Sequence, residues 1–542
     1  MTDLKQNAVA RWVIAASLFV AGSCAPVSQG SLAGPHAPYD TAEAEKTLVF
    51  GYNSIVERHL DRVTAATVAM EGMRGLGSID PEIGISRMDD RVLLTASDRV
   101  VAEYPAPSED DVRAWARLTV TVALDARGVS TAMRDAQVEK VYEAVFDATL
   151  AKLDMFSRYA GAAEARDHRA SRNGFGGVGI KFDMVDGEAR IVDVMDETPA
   201  STAGITVGDI ITHIEGKSVA DLSKDEISKR LRGPVSSDVV VTIRRGLKPL
   251  DVTLARALIV PPTVTMALNN GIAEFKITSF NQRTASSLAA DLKQAQARLG
   301  TGLHGVLLDM RGNPGGLLDQ AVSMADLFMK EGPIVSTKGR HPLASQAYEA
   351  RPGDIGEGLP VVILVDGKSA SAAEIVTAAL QDAGRAVVIG TNSYGKGTVQ
   401  TVIRLPNDGE MTLTWSRFHT PSGYALHGLG VLPTICTAGD ARDLGGLADG
   451  LVKASAMAPA PVSENLSLWR HARLDQTDLR KQLRATCPSA KHGDLKLETE
   501  LAEHLLSDQA LYARALELSA PAAAPAAAQL LPAAHVTVEA AH

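Results

Sequence analysis

Val361-Val362-Ile363-Leu364-Val365-Asp366-Gly367-Lys368-Ser369-Ala370-Ser371-Ala372-Ala373-Glu374-Ile375-Val376 is the stretch on which the reading of this chain turns. Its first five residues are an unbroken apolar run, which predicts a strand buried on both faces. From about Ser371 an apolar helix runs to Asp382, and Asp366 to Ala370 is the loop between. The same unit occurs upstream, where Gly305-Val306-Leu307-Leu308-Asp309 leads through Arg311-Gly312-Asn313-Pro314-Gly315-Gly316 into a helix from about Leu317 to Met329. A third strand, Ala386-Val387-Val388-Ile389, leads into the loop Thr391 to Gly397. Sites in strand-loop-helix folds form beyond the carboxyl ends of the strands, so the three loops are expected to converge.

Each loop carries a group with two readings. Ser371 stands three residues before Glu374, the spacing of a capping box, so it reads either as a helix cap or as a nucleophile. Ser369 is an alternative cap. A nucleophilic serine needs a base, and these loops hold no histidine. Lys396, between Gly395 and Gly397, serves only if burial draws its pKa toward neutrality; otherwise it is a solvated loop lysine. Gly315 and Gly316 at a strand-to-helix turn, and the N–H of Ala372 at a helix N-terminus, suit an oxyanion hole. The bland reading of the glycines is a sterically tight turn.

The chain has 542 residues, which predicts more than one domain, and its 45% apolar and 22% charged content is that of a globular protein. A net charge of −10 and the lack of a basic tract speak against nucleic-acid binding. Lys5, Arg11 and the apolar run Trp12 to Ala21 resemble an export signal over residues 1–24. Ala21-Gly22-Ser23-Cys24 reads either as a lipoprotein cleavage site, with a lipid on Cys24 as the sole membrane anchor, or as ordinary signal cleavage. Export would place the protein in the periplasm or cell envelope. Cys436 and Cys487 then read as a disulfide pair or as two free thiols. No cysteine spacing or HExxH motif suits a metal, and neither metal nor organic cofactor is expected.

Five further regions follow the signal. Residues 41–165 read as mostly helical, with Arg87 to Leu94 unplaced. Residues 166–258 show short alternating strands around a helix that Ser223 caps, with Glu226 three places on. Residues 259–436 are the strand-loop-helix core, 437–518 a Leu-rich helical extension, and 519–542 an Ala/Pro-rich tail. The expected fold class is therefore mixed α/β and multi-domain. The Leu/Ala-rich terminal helical regions suggest a homo-oligomer.

Two resemblances join these pieces. Gly176-Gly177-Val178-Gly179-Ile180, with Pro199-Ala200 and Ala203-Gly204-Ile205-x-x-Gly208-Asp209, resembles a PDZ domain. PDZ domains take up peptide C-termini by strand addition, and N–H groups of a glycine loop hold the terminal carboxylate. Ser369 to Ile375, Leu380-Gln381-Asp382, Arg385-Ala386, Gly395-Lys396-Gly397-Thr398-Val399-Gln400 and Arg311 to Leu318 resemble the carboxyl-terminal processing peptidases, also called tail-specific proteases. So do Leu153-Asp154 with Ser157-Arg158-Tyr159 upstream, and Thr420-Pro421-Ser422-Gly423 with Gly428 to Pro433 downstream. The Ser-to-Lys interval of 25 residues and Gln400 four places beyond the lysine fit that family. The resemblance covers roughly residues 145–434 and implies that Ser371 attacks, Lys396 takes its proton, Gln400 orients Lys396 and Asp382 supports. It implies protein tails as substrates and leaves open whether an adaptor protein takes part. Ala373 and Thr434 depart from the usual Ser and Asp without removing a catalytic group.

Three rivals remain. A trypsin-like protease would need serine where Gly312-Asn313-Pro314-Gly315-Gly316 has Pro314. A catalytically silent PDZ adaptor would be expected to have lost Ser371, Lys396 or Gln400. A PDZ-gated latent protease would keep all three and hold them misaligned until ligand binds.

Overall fold

A computed structural model of the chain describes residues 40–438, 460–489 and 495–519. The export signal, Cys24 and the Ala/Pro-rich tail beyond Ser519 lie outside the described residues.

The N-terminal region packs helices Thr41–Arg58, Ala65–Arg74, Val112–Val129 and Val138–Leu153 around Tyr52, Met73, Trp115 and Phe146. Asp40, Thr64 and Asp111 cap the first three by accepting N–H bonds two or three residues on. The expectation of a mostly helical region needs one correction. Ile83–Met88, Arg91–Ala96 and Arg99–Pro105 form an antiparallel meander that takes in the unplaced Arg87 to Leu94. Its connections are Asp89-Asp90 and Ser97-Asp98, and Asp89, Ser97 and Asp98 hold φ of 49°, 48° and 61°. Asp tolerates this left-handed geometry better than most residues, which is why a tight hairpin turns there without glycine.

Residues 166–258 build a sheet in the order Lys248–Ala255, Asp238–Arg245, Ile210–Ile214, Glu188–Val194, Ile180–Val185. The strand Ile180–Val185 is therefore an edge with one side unpaired. Helix Lys224–Leu231 buries Ile227 and Leu231 in the same core as Val178 and Phe182. Its Ser223–Glu226 capping box forms as expected. This module joins the rest through Phe175–Gly177, which pairs antiparallel with Ala257–Ile259. Helix Ala162–Asn173, just before it, sends Arg169 and Arg172 to the buried carboxylate of Glu410 at 3.0 and 2.7 Å.

The core sheet runs Val264–Asn269, Ile272–Ile277, Gly305–Asp309, Val361–Val365, Val387–Gly390, Ile435–Cys436. All pairs after the first are parallel. Helices Thr284–Leu299, Leu318–Asp326 and Ala372–Asp382 cover one face. Helices Leu495–Ser507 and Gln509–Ser519 cover the other, setting Leu501, Leu505, Leu506 and Leu518 against Leu307, Val362, Leu364 and Ile389. Two covered faces explain why the central strand Val361–Val365 is apolar at every position. The C-terminal region is thus the second layer of the core. Cys436 and Cys487, left open by the sequence, are joined as a disulfide across 51 residues. An antiparallel sheet of Gln346–Glu349, Pro333–Gly339, Glu410–His419 and Thr398–Arg404 lies beside the core, and Arg158–Ala160 pairs with Glu410–His419.

Leu505 is 0% exposed between the C-terminal helices and the sheet. Leu505→Ala is expected to cost about 2–5 kcal/mol through lost burial and a residual cavity, read from the denaturation midpoint.

Candidate active site

Ser371 is the residue before helix Ala372–Asp382, with φ 55° and ψ −114°. A serine costs on the order of 1–3 kcal/mol in such a conformation, and surrounding bonds must hold it there. They come from Glu374, which is 1% exposed. Its carboxylate accepts the N–H of Ser371 at 2.8 Å, the hydroxyl of Ser393 at 2.5 Å, and the N–H groups of Gly395 at 2.7 Å and Lys396 at 2.9 Å. One buried group thus binds the serine turn to the lysine loop. Burial pushes the Glu374 carboxyl up, and the four donors oppose this. Every partner donates, so the arrangement is that of the ionised form. In return the Ser371 hydroxyl faces the Glu374 N–H as in a capping box, without reaching ordinary hydrogen-bond geometry. Ser369 is not a cap: its hydroxyl donates to the Met310 carbonyl at 2.9 Å.

The glycine loop closes the third side. Gly315 has φ 100°, and a Cβ there would stand 2.8 Å from Cβ of Ser371 and 3.0 Å from the Ala372 nitrogen. Gly316 is as tightly placed, its missing Cβ 2.1 Å from the Phe280 carbonyl. Asn313 fixes this turn, donating to the Ile277 carbonyl at 2.9 Å while its backbone carbonyl accepts the N–H of Ala370 at 2.9 Å. The convergence expected of the three loops is present. One oxyanion assignment changes: the N–H of Gly315 donates to Asn313 Oδ1 at 2.8 Å and is spent. The N–H groups of Gly316 and Ala372 make no bond among the described residues and remain for that role.

Lys396 is partly buried, with Nζ 5.1 Å from the ring centroid of Phe156. Burial lowers its pKa, the charge of Arg158 adds to this, and Glu374 and Asp154 oppose it. No hydrogen bond joins Lys396 Nζ to Ser371 Oγ. Gln400 differs from expectation in the same way: its amide donates to Thr398 Oγ1 at 2.9 Å and Thr414 Oγ1 at 3.3 Å rather than engaging Lys396. Behind it lies a group that the sequence reading quoted for the resemblance without giving it a role. Asp154 accepts from Thr414 Oγ1 at 3.0 Å, Ser157 Oγ at 2.6 Å, and the N–H groups of Phe156 and Ser157, and contacts His59 Nε2 at 3.1 Å. Burial alone would raise the Asp154 carboxyl; these bonds hold it well below the usual range. Its sequence signal was the Asp-x-x-Ser spacing, where a side chain bonds the N–H groups two and three residues on.

Asp382 lies at the far end of the helix, about 16 Å from Ser371 at 1.5 Å per residue. It accepts from Arg470 at 2.8 Å and from the Ser422 hydroxyl at 2.6 Å, a tie between helix and C-terminal region. In the smaller module, Gly176 and Gly177 belong to a paired strand, and the Gly176 carbonyl accepts the N–H of Gly233 at 3.0 Å. Val178 and Gly179 follow as a loop whose N–H groups make no bond among the described residues, and Ile180 opens the edge strand. The open loop donors are thus Val178 and Gly179.

Residues 271–437 match peptidase family S41, and residues 176–255 match the PDZ domain. A carboxy-terminal-processing protease of Bartonella bacilliformis is 40% identical over 301 residues, covering 55% of this chain and 69% of the relative. The chain belongs to the carboxy-terminal-processing protease family. A probable CtpA-like serine protease of Staphylococcus haemolyticus is 32% identical over 54% of this chain and 59% of its own length. Among solved structures, a photosystem II D1 C-terminal processing protease aligns over 72% of this chain and 92% of its own, at 22% identity and a TM-score of 0.37. Family membership and the PDZ module agree with the resemblances read from the sequence.

Glu374→Ala strands four donors, and is expected to cost roughly 3–5 kcal/mol in chemical denaturation. Lys396→Met tests the electrostatics. A lowered lysine pKa means that the charged form is disfavoured in the fold, a penalty present in full below the folded pKa and fading as pH rises from there to the ordinary lysine value. At pH 7 the variant should unfold at higher denaturant than wild type, and the gap should close at high pH.

Proposed function

We propose that this family member is an exported serine endopeptidase that cleaves protein tails with a Ser371–Lys396 dyad. The observation that carries this is Glu374, which fastens the serine turn and the lysine loop to one carboxylate while burial lowers the pKa of Lys396. In the reaction, Ser371 Oγ bonds to the scissile carbonyl carbon as its proton passes to neutral Lys396. The N–H groups of Gly316 and Ala372 take the developing oxyanion. Protonated Lys396 then gives its proton to the leaving amine as the C–N bond breaks, leaving an acyl-enzyme. Water, deprotonated by the same lysine, releases the new C-terminus.

Substrate tails add to the edge strand Ile180–Val185, with their carboxylate at Val178 and Gly179. Export follows from the basic and apolar N-terminal pattern and places the enzyme in the periplasm or cell envelope; a lipid on Cys24 would anchor it there.

A second reading, a PDZ-gated latent protease, has its own support. Lys396 Nζ lies over Phe156 and Gln400 is bonded to Thr398 and Thr414, so in this conformation Lys396 does not engage Ser371 and Gln400 does not engage Lys396. Occupation of the PDZ groove would shift the lysine toward the serine.

The test is cleavage of a fluorogenic protein with an unstructured apolar tail. Wild type should cut, with activity rising as pH passes through a lysine pKa below the ordinary one. Ser371→Ala and Lys396→Ala should be silent, and so should Lys396→Arg, because a guanidinium does not deprotonate in this range. Ser371→Ala cutting like wild type would overturn the assignment. Amidating the tail's C-terminus should raise KM more than it lowers kcat.

A further inference from the structure

The lysine loop is held from two sides. Inside, Glu374 takes the N–H groups of Gly395 and Lys396. Outside, helix Thr477–Thr486 of the C-terminal region reaches a carbonyl of the loop and one of the neighbouring segment that packs on it. Arg484 Nη1 donates to the carbonyl of Leu429 at 2.6 Å and reaches that of Ser393 at 3.3 Å. Arg484 Nη2 donates to Ser489 Oγ at 2.8 Å, which in turn donates to the Asn392 carbonyl at 2.9 Å. The loop makes room for this group. Gly395 and Gly430 hold φ of 88° and 80°, and a Cβ at either would stand 3.2 Å from Arg484 Nη1. Three residues beyond Arg484, Cys487 is bonded to Cys436 in the last strand of the parallel sheet. Trp469 adds a bond from Nε1 to the Gly430 carbonyl at 3.1 Å.

A planar guanidinium with fixed donor directions orients several carbonyls at once, which a flexible ammonium does not. Burial works against the charge of Arg484, and the nearby Glu374 carboxylate works for it. We propose that Arg484, carried on a helix tied to the sheet by Cys436–Cys487, is a positioning residue for the catalytic lysine, so that turnover depends on the C-terminal region. This rests on the assignment of Lys396 as base. Arg484 itself touches no reacting atom.

The experiment compares full-length wild type, Arg484→Ala, Arg484→Lys, Cys487→Ser and, as a control on the same region, Arg473→Ala, whose side chain pairs with Asp475 at 2.7 Å on the surface. Two readouts are taken well below the melting temperature: kcat and KM on an internally quenched peptide with an apolar C-terminal residue, and amide hydrogen exchange of residues 392–397. Arg484→Ala should lower kcat about 10- to 100-fold with KM within about twofold, as misplacement of a catalytic group does. Exchange in 392–397 should quicken while the PDZ strands stay protected. Arg484→Lys should recover part of kcat, Cys487→Ser should fall between, and Arg473→Ala should match wild type. Unchanged kcat in Arg484→Ala, or a loss of kcat with loop exchange unaltered, overturns the proposal. If wild type does not cut the peptide, exchange decides alone, and an unaltered loop in Arg484→Ala overturns it. Activity surviving in Ser371→Ala would instead sink the dyad, leaving the comparison of loop exchange intact.

Discussion

A carboxylate 1% exposed to solvent holds the serine turn and the lysine loop together. Taking an ionised group out of water costs several kcal/mol unless each lone pair finds a donor. Glu374 finds its donors only if the serine turn, Ser393 and the lysine loop arrive together. The same requirement that makes the group affordable to bury therefore forces the two loops into register. Its place in the first turn of helix Ala372–Asp382 helps, since the aligned peptide dipoles favour negative charge there. The constraint also accounts for the unusual backbone of Ser371, whose N–H is drawn to the carboxylate while its side chain stays clear of a full capping bond.

What could be read from the sequence, and what could not, divides along physical lines. The strand Val361–Val365 was legible because burial on both faces leaves no polar position, and convergence of the loops followed from parallel strand ends. Ser371 was legible only as a choice, because cap and nucleophile share one spacing. The fate of single N–H groups was not legible: whether Gly315 donates outward or to Asn313 depends on the rotamer of a side chain two residues away. The partners of the Gln400 amide were not legible for the same reason. The hairpins between Ile83 and Pro105 were missed because their strands bury few residues and so carry weak alternation. The Leu-rich C-terminal pattern showed that helices form, but not that they seal the second face of a sheet built more than a hundred residues earlier.

The short segment from Asp154 to Asn173 connects parts that the domain plan separates. Asp154 and Phe156 stand beside the lysine, and Arg158–Ala160 extends the outer sheet. Arg169 and Arg172, on the next helix, grip Glu410 just before the PDZ glycines begin. The PDZ module and the lysine loop are therefore joined by one continuous stretch held by hydrogen bonds, ion pairs and the contact of Lys396 with the Phe156 ring rather than by a free linker.

The clasp of Arg484 and Cys487 on the lysine loop has a consequence for the birth of the enzyme. Chains are made from the N-terminus onward, and domains fold as they emerge. The PDZ module and the segments bearing Ser371 and Lys396 are complete while the residues that clasp the loop have not yet been synthesised. A nascent protease would thus carry its chemical groups early but gain their final alignment last, and its own unfinished chain, with tails exposed, would pass its most vulnerable period beside an unfinished blade.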